Sequence, residues 1–415
     1  MSNPSTRHLA GILLFAAICC GLPTRCPGQA PGQSHEVLCS NGFGSYDSAF
    51  STGVTVYVGA IRKGGFAQRA CEAAFRWGRQ DLVIEPKAFQ VDIDVLGVDL
   101  GLGSPVVAFL VKDSYTDSVV HYEIYSLQKH SQKLRTLTGG SYFSAADTDL
   151  DGHIEIWTDD AKAVDGFENI PLSAFDSLPT IVLRFEHRKL LDTSSEFQPD
   201  FDRKIAGLRS QLDPQQLKNF KDSDGIFSNR FLLPTDEYHA LLATKIKVLE
   251  IVWGYLYSGR EEEAWNTLTE LWPASDTSRI RTAILDARAH GIRSQIDGIS
   301  DSLPRFHVKK HALIFDAAQE AETKTDHMRQ FEVDKLPREI LIMRPPLPDT
   351  STASLKTETV LQLVLDSAGK VRSVKTEHAI DKDLVDATAD WKFIPAFKDG
   401  NPVACRMRFG VTPDR

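Results

Sequence analysis

The spacing of apolar residues changes twice along this chain, and each change bounds what the chain can build. Up to about residue 195 the apolar residues come in short runs broken by Gly, Asp and Ser, at 54–60, 91–96, 106–111, 119–125 and 154–157, which is the pattern of strands. One interruption, residues 66–79, is rich in Ala, Arg and Glu and stops at Gly78, and is expected to be a helix. From about 199 to 300 the period becomes helical. Phe201, Ile205, Leu208 and Leu212 recur at one face before Pro214 opens another turn. Residues 238–257 and 260–272 read as two further helices, stopped at Ser258-Gly259 and Pro273, and Asp276 is a suitable N-cap for the next. Strand periodicity returns after residue 304. With 415 residues the chain has room for two to four domains. The expected fold class is multidomain α+β: a β-rich N-terminal region (35–195), an α-helical middle (199–300) and a small α+β C-terminal domain (305–415).

The first thirty residues form a separate unit. Arg7 and His8 precede an apolar run over 9–22, which Pro23 closes and Gly28-Gln29-Ala30 follows, the layout of a signal peptide over 1–30 with cleavage after Ala30. About 14 residues make about 21 Å of helix, short of the roughly 20 residues that cross a bilayer, so no stable transmembrane anchor is expected. Ile18 before Cys19 argues against lipidation. The expected location is periplasmic or secreted. Export leaves Cys39, Cys71 and Cys405; the first two can staple a loop, whereas Cys405 sits in the alternating stretch 403–409 and is expected to be a buried, inert thiol. A formal net charge of -9 argues against phosphate-tracking nucleic-acid binding, which needs a basic surface. An apolar share of 42% with 25% charged residues excludes wholesale disorder and a polytopic membrane protein.

Residues 146–156 carry the clearest ligand pattern. Asp147, Asp149, Asp151 and Glu155 stand at positions one, three, five and nine of a loop with Gly152 at position six. A hard cation of calcium's size takes six to eight oxygens; alternating Asp side chains converge on one point, Gly supplies the sharp turn, and position seven offers the His153 carbonyl. Thr158 at position twelve leaves no bidentate EF-hand Glu, and Ile154 and Ile156 read as strand. A self-solvating Asp turn is the competing reading. The segment resembles the calcium loop of FG-GAP repeats in integrin-type propellers, which implies a structural calcium held by Asp147, Asp149, Asp151, His153 and Glu155. Asp99-Leu100-Gly101-Leu102-Gly103 lines up with it as a decayed, metal-free copy. Two copies do not close a propeller, so the resemblance is confined to the loop.

The C-terminal stretch is organised as strand, strand, helix, strand. Residues 359–365 and 371–375 flank Asp366-Ser367-Ala368-Gly369-Lys370, a hairpin signal; 383–392 reads as a short helix, followed by Trp391-Lys392-Phe393-Ile394-Pro395-Ala396, Asp399-Gly400-Asn401-Pro402 and the strand that holds Cys405. These motifs in this order resemble the C-terminal domain of TonB family proteins over about residues 340–413. Leu347-Pro348 stands where the family has Tyr-Pro. The resemblance implies a module that binds an extended segment of an outer-membrane receptor, or of another envelope protein, by adding it as a strand. A transducer's membrane anchor and long Pro- and Lys-rich spacer are not visible here.

In the helical middle, Tyr255, Ala264, Leu268 and Leu271 resemble one tetratricopeptide hairpin, but a solenoid needs about three repeats, so a small bundle with Trp253, Trp265 and Trp272 in its core is expected. Glu261-Glu262-Glu263 reads as a solvated helix start, and His307 and His311, with basic neighbours, as no metal site. No catalytic signature stands out, and the chain is read as a non-enzyme. The expected function is protein interaction in the cell envelope, with a family link to transport. The alternatives are a calcium-dependent secreted binding protein and a hydrolase using Asp147, Asp149 and Asp151 around a catalytic metal.

Overall fold

Three antiparallel meanders follow one another in a computed structural model that describes residues 45–50, 52–63, 68–77, 80–84, 88–114, 116–128, 130–228, 234–299, 314–317, 332–341, 359–376 and 382–411. The first sheet orders β1 (Ser45–Ala49), β2 (Thr55–Lys63), β3 (Gln68–Trp77) and β4 (Gln80–Ile84) as neighbours. The second repeats the plan with β5 (Gln90–Val98), β6 (Val106–Lys112), β7 (Val120–Ser126) and β8 (Lys133–Gly140). The third does so again with β9 (Phe143–Ala146), β10 (Glu155–Asp159), β11 (Thr180–Glu186) and β12 (Lys189–Asp192), extended in parallel by β13 (Gly298–Ile299). The helix expected at 66–79 is, over the described residues 68–77, the strand β3, paired with β2 on one side and β4 on the other. Its Ala, Arg and Glu favour a helix locally, but Ala73 and Phe75, two apart, enter one core, and tertiary pairing decides.

The sheets stack face to face. Val107 and Phe109 of β6 pack with Val56, Val58 and Phe75 of the first sheet, while Val106 and Ala108 pack with Ala145, Ile156 and Leu183 of the third. Both faces of the second sheet are therefore buried, which is why β6 reads as an unbroken apolar run. In a regular strand Ile93 and Val95 would share a face. A register shift between them in β5 sends Ile93 to one core and Val95 to the other, and leaves Asp94 at the bend.

Helices α1 (Ala161–Val164), α2 (Gln198–Ser210), α3 (Pro214–Lys221), α4 (Thr235–Tyr257), α5 (Glu261–Leu271) and α6 (Thr277–His290) lie with the third sheet. Phe201, Ile205, Val248, Val252 and Trp253 share one core with that sheet, so the helical middle is continuous with the β region rather than a bundle with its own core. Trp253 and Trp272 are buried as expected, and Trp265 is partly buried beneath Arg281. Asp276 precedes α6 but caps nothing with its side chain, which receives Trp272 Nε1 and Arg279 instead. Among the described residues no helix is long and apolar enough to cross a membrane.

The C-terminal unit comprises β14 (Phe315–Asp316), β15 (Arg338–Leu341), β16 (Thr359–Leu365), β17 (Val371–Thr376), α7 (Lys382–Ala387), β18 (Lys392–Ile394), β19 (Ala396–Lys398), β20 (Asn401–Val403) and β21 (Cys405–Val411). Its main sheet runs β14-β21-β16-β17. Cys405, Met407 and Phe409 of β21 point into a core with Leu361, Leu363, Trp391 and Phe393, while Arg406 and Arg408 alternate outward. The helix is shorter than expected: residues 388–390 tighten into a 3-10 turn, and Trp391 is already extended. Ile340 and Ile394 turn away from this core and join that of the first two sheets. The chain is thus mixed α+β, with many strands in several sheets. The proposed signal peptide, Cys39 and its pairing, His307, His311 and Leu347-Pro348 lie outside the described residues.

Candidate functional site

The carboxylate run forms the turn between β9 and β10, the first hairpin of the third meander. Asp147 directly follows β9, buried at 1% exposure, and its carboxylate closes the loop: Oδ1 accepts from the Asp151 amide at 2.9 Å and Oδ2 from the Gly152 amide at 3.0 Å. Gly152 sits at φ +89°, the left-handed region that favours glycine. The result brings one oxygen each of Asp147, Asp149 and Asp151 within 4.8 Å of one another. Opposite ligands of a calcium ion stand about 5 Å apart, so these three groups fit one hard cation.

Glu155 and His153 stand differently. Glu155 is outside that triplet, buried on β10, with Oε2 accepting from the Thr148 amide at 3.2 Å and Oε1 3.6 Å from Arg184 Nη1. Arg184 in turn is held by both oxygens of Glu196, each at 2.9 Å, and by Glu186. Burial, with the negative charge of Asp149 and Asp147 added, pushes the Glu155 carboxyl up to about 8. Asp147 is raised by burial too, with Asp149 adding to the rise. The His153 ring is exposed and lies 3.1 Å from Asp151 Oδ1, against the outer side of that carboxylate.

A second element covers the loop. The hairpin between β16 and β17 brings Ser367 Oγ to donate to Asp147 Oδ2 at 2.8 Å, and Asp366 Oδ2 to accept from the Asp147 amide at 3.1 Å. Asp366 Oδ1 accepts from the Ala368 and Lys370 amides, both at 2.9 Å, fixing the turn. Burial, with Asp147 as a like-charged neighbour, pushes Asp366 up to about 7. Arg372 Nη2 donates to the Thr148 carbonyl at 3.1 Å. Beside them Lys370 Nζ meets Asp94 Oδ1 at 2.5 Å, and Asp94 Oδ2 accepts from Tyr122 Oη at 2.7 Å and from the Ala145 amide at 2.8 Å. Burial alone would raise Asp94, but Lys370 and Lys392 outweigh it and hold the carboxyl below its ordinary value. One bend in β5 therefore ties the second sheet, the third sheet and the C-terminal hairpin together.

The loop at Asp99 occupies the equivalent first hairpin of the second meander. There a single carboxylate oxygen accepts from the amides of Gly101, Leu102 and Gly103, at 2.9, 2.7 and 3.0 Å, and the turn closes on its own backbone. Asp147 does the same with fewer amides and keeps two further carboxylates beside it.

No protein-family model, curated protein or solved structure matches the chain.

The sequence pattern contains Asp147, Asp149 and Asp151, and the fold brings these three together. It does not announce Asp366, Ser367, Lys370 or Asp94. The Asp-Ser-Ala-Gly-Lys stretch reads as a turn; the repeat of Asp before Gly in two loops was the available signal that both are carboxylate-closed.

Proposed function

We propose that the protein is an exported interaction protein of the cell envelope, whose C-terminal unit takes up an extended segment of another protein and whose Asp147 loop holds a structural calcium ion beneath that unit. The observation that carries the interaction role is the sheet order β14-β21-β16-β17, in which β21, the outermost long strand on that side, already accepts the two-residue strand β14 from a distant part of the chain. Strand addition to a sheet edge supplies main-chain hydrogen bonds for affinity and alternate side-chain pockets for specificity. Supporting the calcium role are the three converging carboxylates and the like-charge repulsion between Asp147 and Asp149, which a bound cation relieves. Asp147, Asp149 and Asp151 would hold the ion; Ser367 and the backbone amides keep Asp147 oriented, and Glu155 stays paired with Arg184.

Two experiments test the reading. A photo-crosslinking amino acid at Arg408, on the exposed face of β21, is expected to give a discrete adduct with an envelope protein in living cells; the absence of any adduct overturns the interaction role. Residues 1–35 fused to an enzyme active only outside the cytoplasm are expected to yield activity, and an inactive fusion removes the compartment.

A further inference from the structure

The strand on the outer edge of β21 is remote from it in sequence and lightly held. β14 runs parallel to β21, with Phe315 opposite Cys405 and Asp316 opposite Arg406. Its backbone donates twice, from the Phe315 amide to the Ala404 carbonyl at 3.0 Å and from the Ala317 amide to the Arg406 carbonyl at 2.9 Å. On the other side of β21, β16 is paired antiparallel along its whole length, from Thr359 opposite Val411 to Leu365 opposite Cys405. Parallel pairing is also the weaker kind per residue. The side chains of 315–317 follow a rule: Phe315 packs on the C-terminal core, Ala317 is buried in it, and Asp316 between them meets Arg406 Nη1 at 3.5 Å. On its far side Asp316 bridges only to Glu332 among the described residues. Arg406 and Arg408 are exposed on one face of this edge in a chain of net charge -9, so the edge favours an acid at the middle position.

We propose that the edge of β21 around residues 405–407 is a docking site for an extended segment of the pattern apolar, acid, small residue from another protein, and that residues 315–317 occupy it in cis until displaced. The inference rests on the reading of the C-terminal unit as a strand acceptor and adds the sequence class of the partner and the competition that gates it. A tethered strand acts as a competitor at high effective concentration, so a partner engages only when it outbids the short β14 ladder, the Phe315 and Ala317 contacts and one exposed ion pair.

The test uses the full chain and, as probe, a fluorescein-labelled peptide of residues 312–320 of this protein. Replacing Phe315 and Ala317 by Pro removes both donors, and F315P/A317P is expected to bind the peptide at least about tenfold more tightly than the wild type. A peptide carrying Asp316→Lys is expected to bind that variant about threefold more weakly, with the loss regained by Arg406→Asp. A folded double variant that binds no better than the wild type overturns the proposal. Should the variant not fold, hydrogen exchange in the wild type decides: the Phe315 and Ala317 amides are expected to exchange at least about a hundredfold faster than those between β16 and β21, and equal protection makes β14 an integral strand and overturns the proposal. A wild-type dimer that becomes monomeric in the double variant assigns the edge to a second copy and overturns the cis occupancy. Peptide binding that behaves as expected while Arg408 crosslinks nothing in cells leaves the edge and its occupant standing and removes only the envelope role.

Discussion

Gly369 shows how one residue fixes the cover of the carboxylate loop. It sits at φ +84°, and a Cβ there would stand 1.8 Å from the Phe393 carbonyl oxygen, so neither the backbone conformation nor the space admits a side chain. Gly369→Ala is expected to cost at least about 2 kcal/mol in urea unfolding, by moving the hairpin that carries Asp366 and Ser367. Ser367→Ala, which removes one hydrogen bond to a buried carboxylate, is expected to cost about 1 to 3 kcal/mol. Unchanged midpoints for both would contradict the packing described. Cys405 makes a complementary point about reactivity. It is fully buried, and burial pushes its thiol up to about 12, so the native protein at pH 8 is expected to leave a thiol reagent unreacted at this position until it is unfolded. Alternation in 403–409 made that burial legible from the sequence.

Among elements, the contact that matters most is the hairpin of β16 and β17 against the bend of β5. Asp94 is buried and Lys370 largely covered, so Lys370→Met takes the paired cation from a buried carboxylate and is expected to destabilise by about 3 kcal/mol. The double variant D94N/K370M is expected to recover much of that loss, and simple additivity of the two single losses would show that the pair is not coupled. Period and turn chemistry made most elements legible: β5, β6, β16, β21, α2, α4 and α5 all lie where the apolar spacing puts them. The strand β3 did not, because Ala, Arg and Glu carry a helical propensity that pairing overrides. The register shift that exposes Asp94 to Lys370 was also hidden, since nothing local in Val91-Asp92-Ile93-Asp94-Val95 marks where the strand bends. The cover of the Asp147 loop joins residues more than two hundred positions apart, and no window of sequence records such a contact.

On the scale of the whole molecule, the stacked sheets, the helical layer and the C-terminal unit meet around one acidic loop. Ala368 belongs to the core shared by the second sheet, the third sheet and the helices, and Ile340 and Ile394 to the core of the first two sheets. Removing residues 340–415 would therefore uncover apolar surface as well as delete a binding edge, which is why the interaction tests above use substitutions rather than truncation. Calcium at the loop would stiffen this junction by neutralising Asp147, Asp149 and Asp151 together, with an affinity in the extracellular range of roughly 10⁻⁴ to 10⁻³ M because no bidentate Glu follows at position twelve. Trp157, whose Nε1 donates to Thr148 Oγ1 at 2.8 Å, stands against the loop as a built-in antenna for a lanthanide. The most direct measurement is terbium luminescence of the full chain excited through tryptophan. The expected result is emission that millimolar calcium competes away and that Asp147→Ala with Asp151→Ala abolishes; folded protein giving no calcium-displaceable signal at millimolar terbium would reduce the loop to a self-solvating turn.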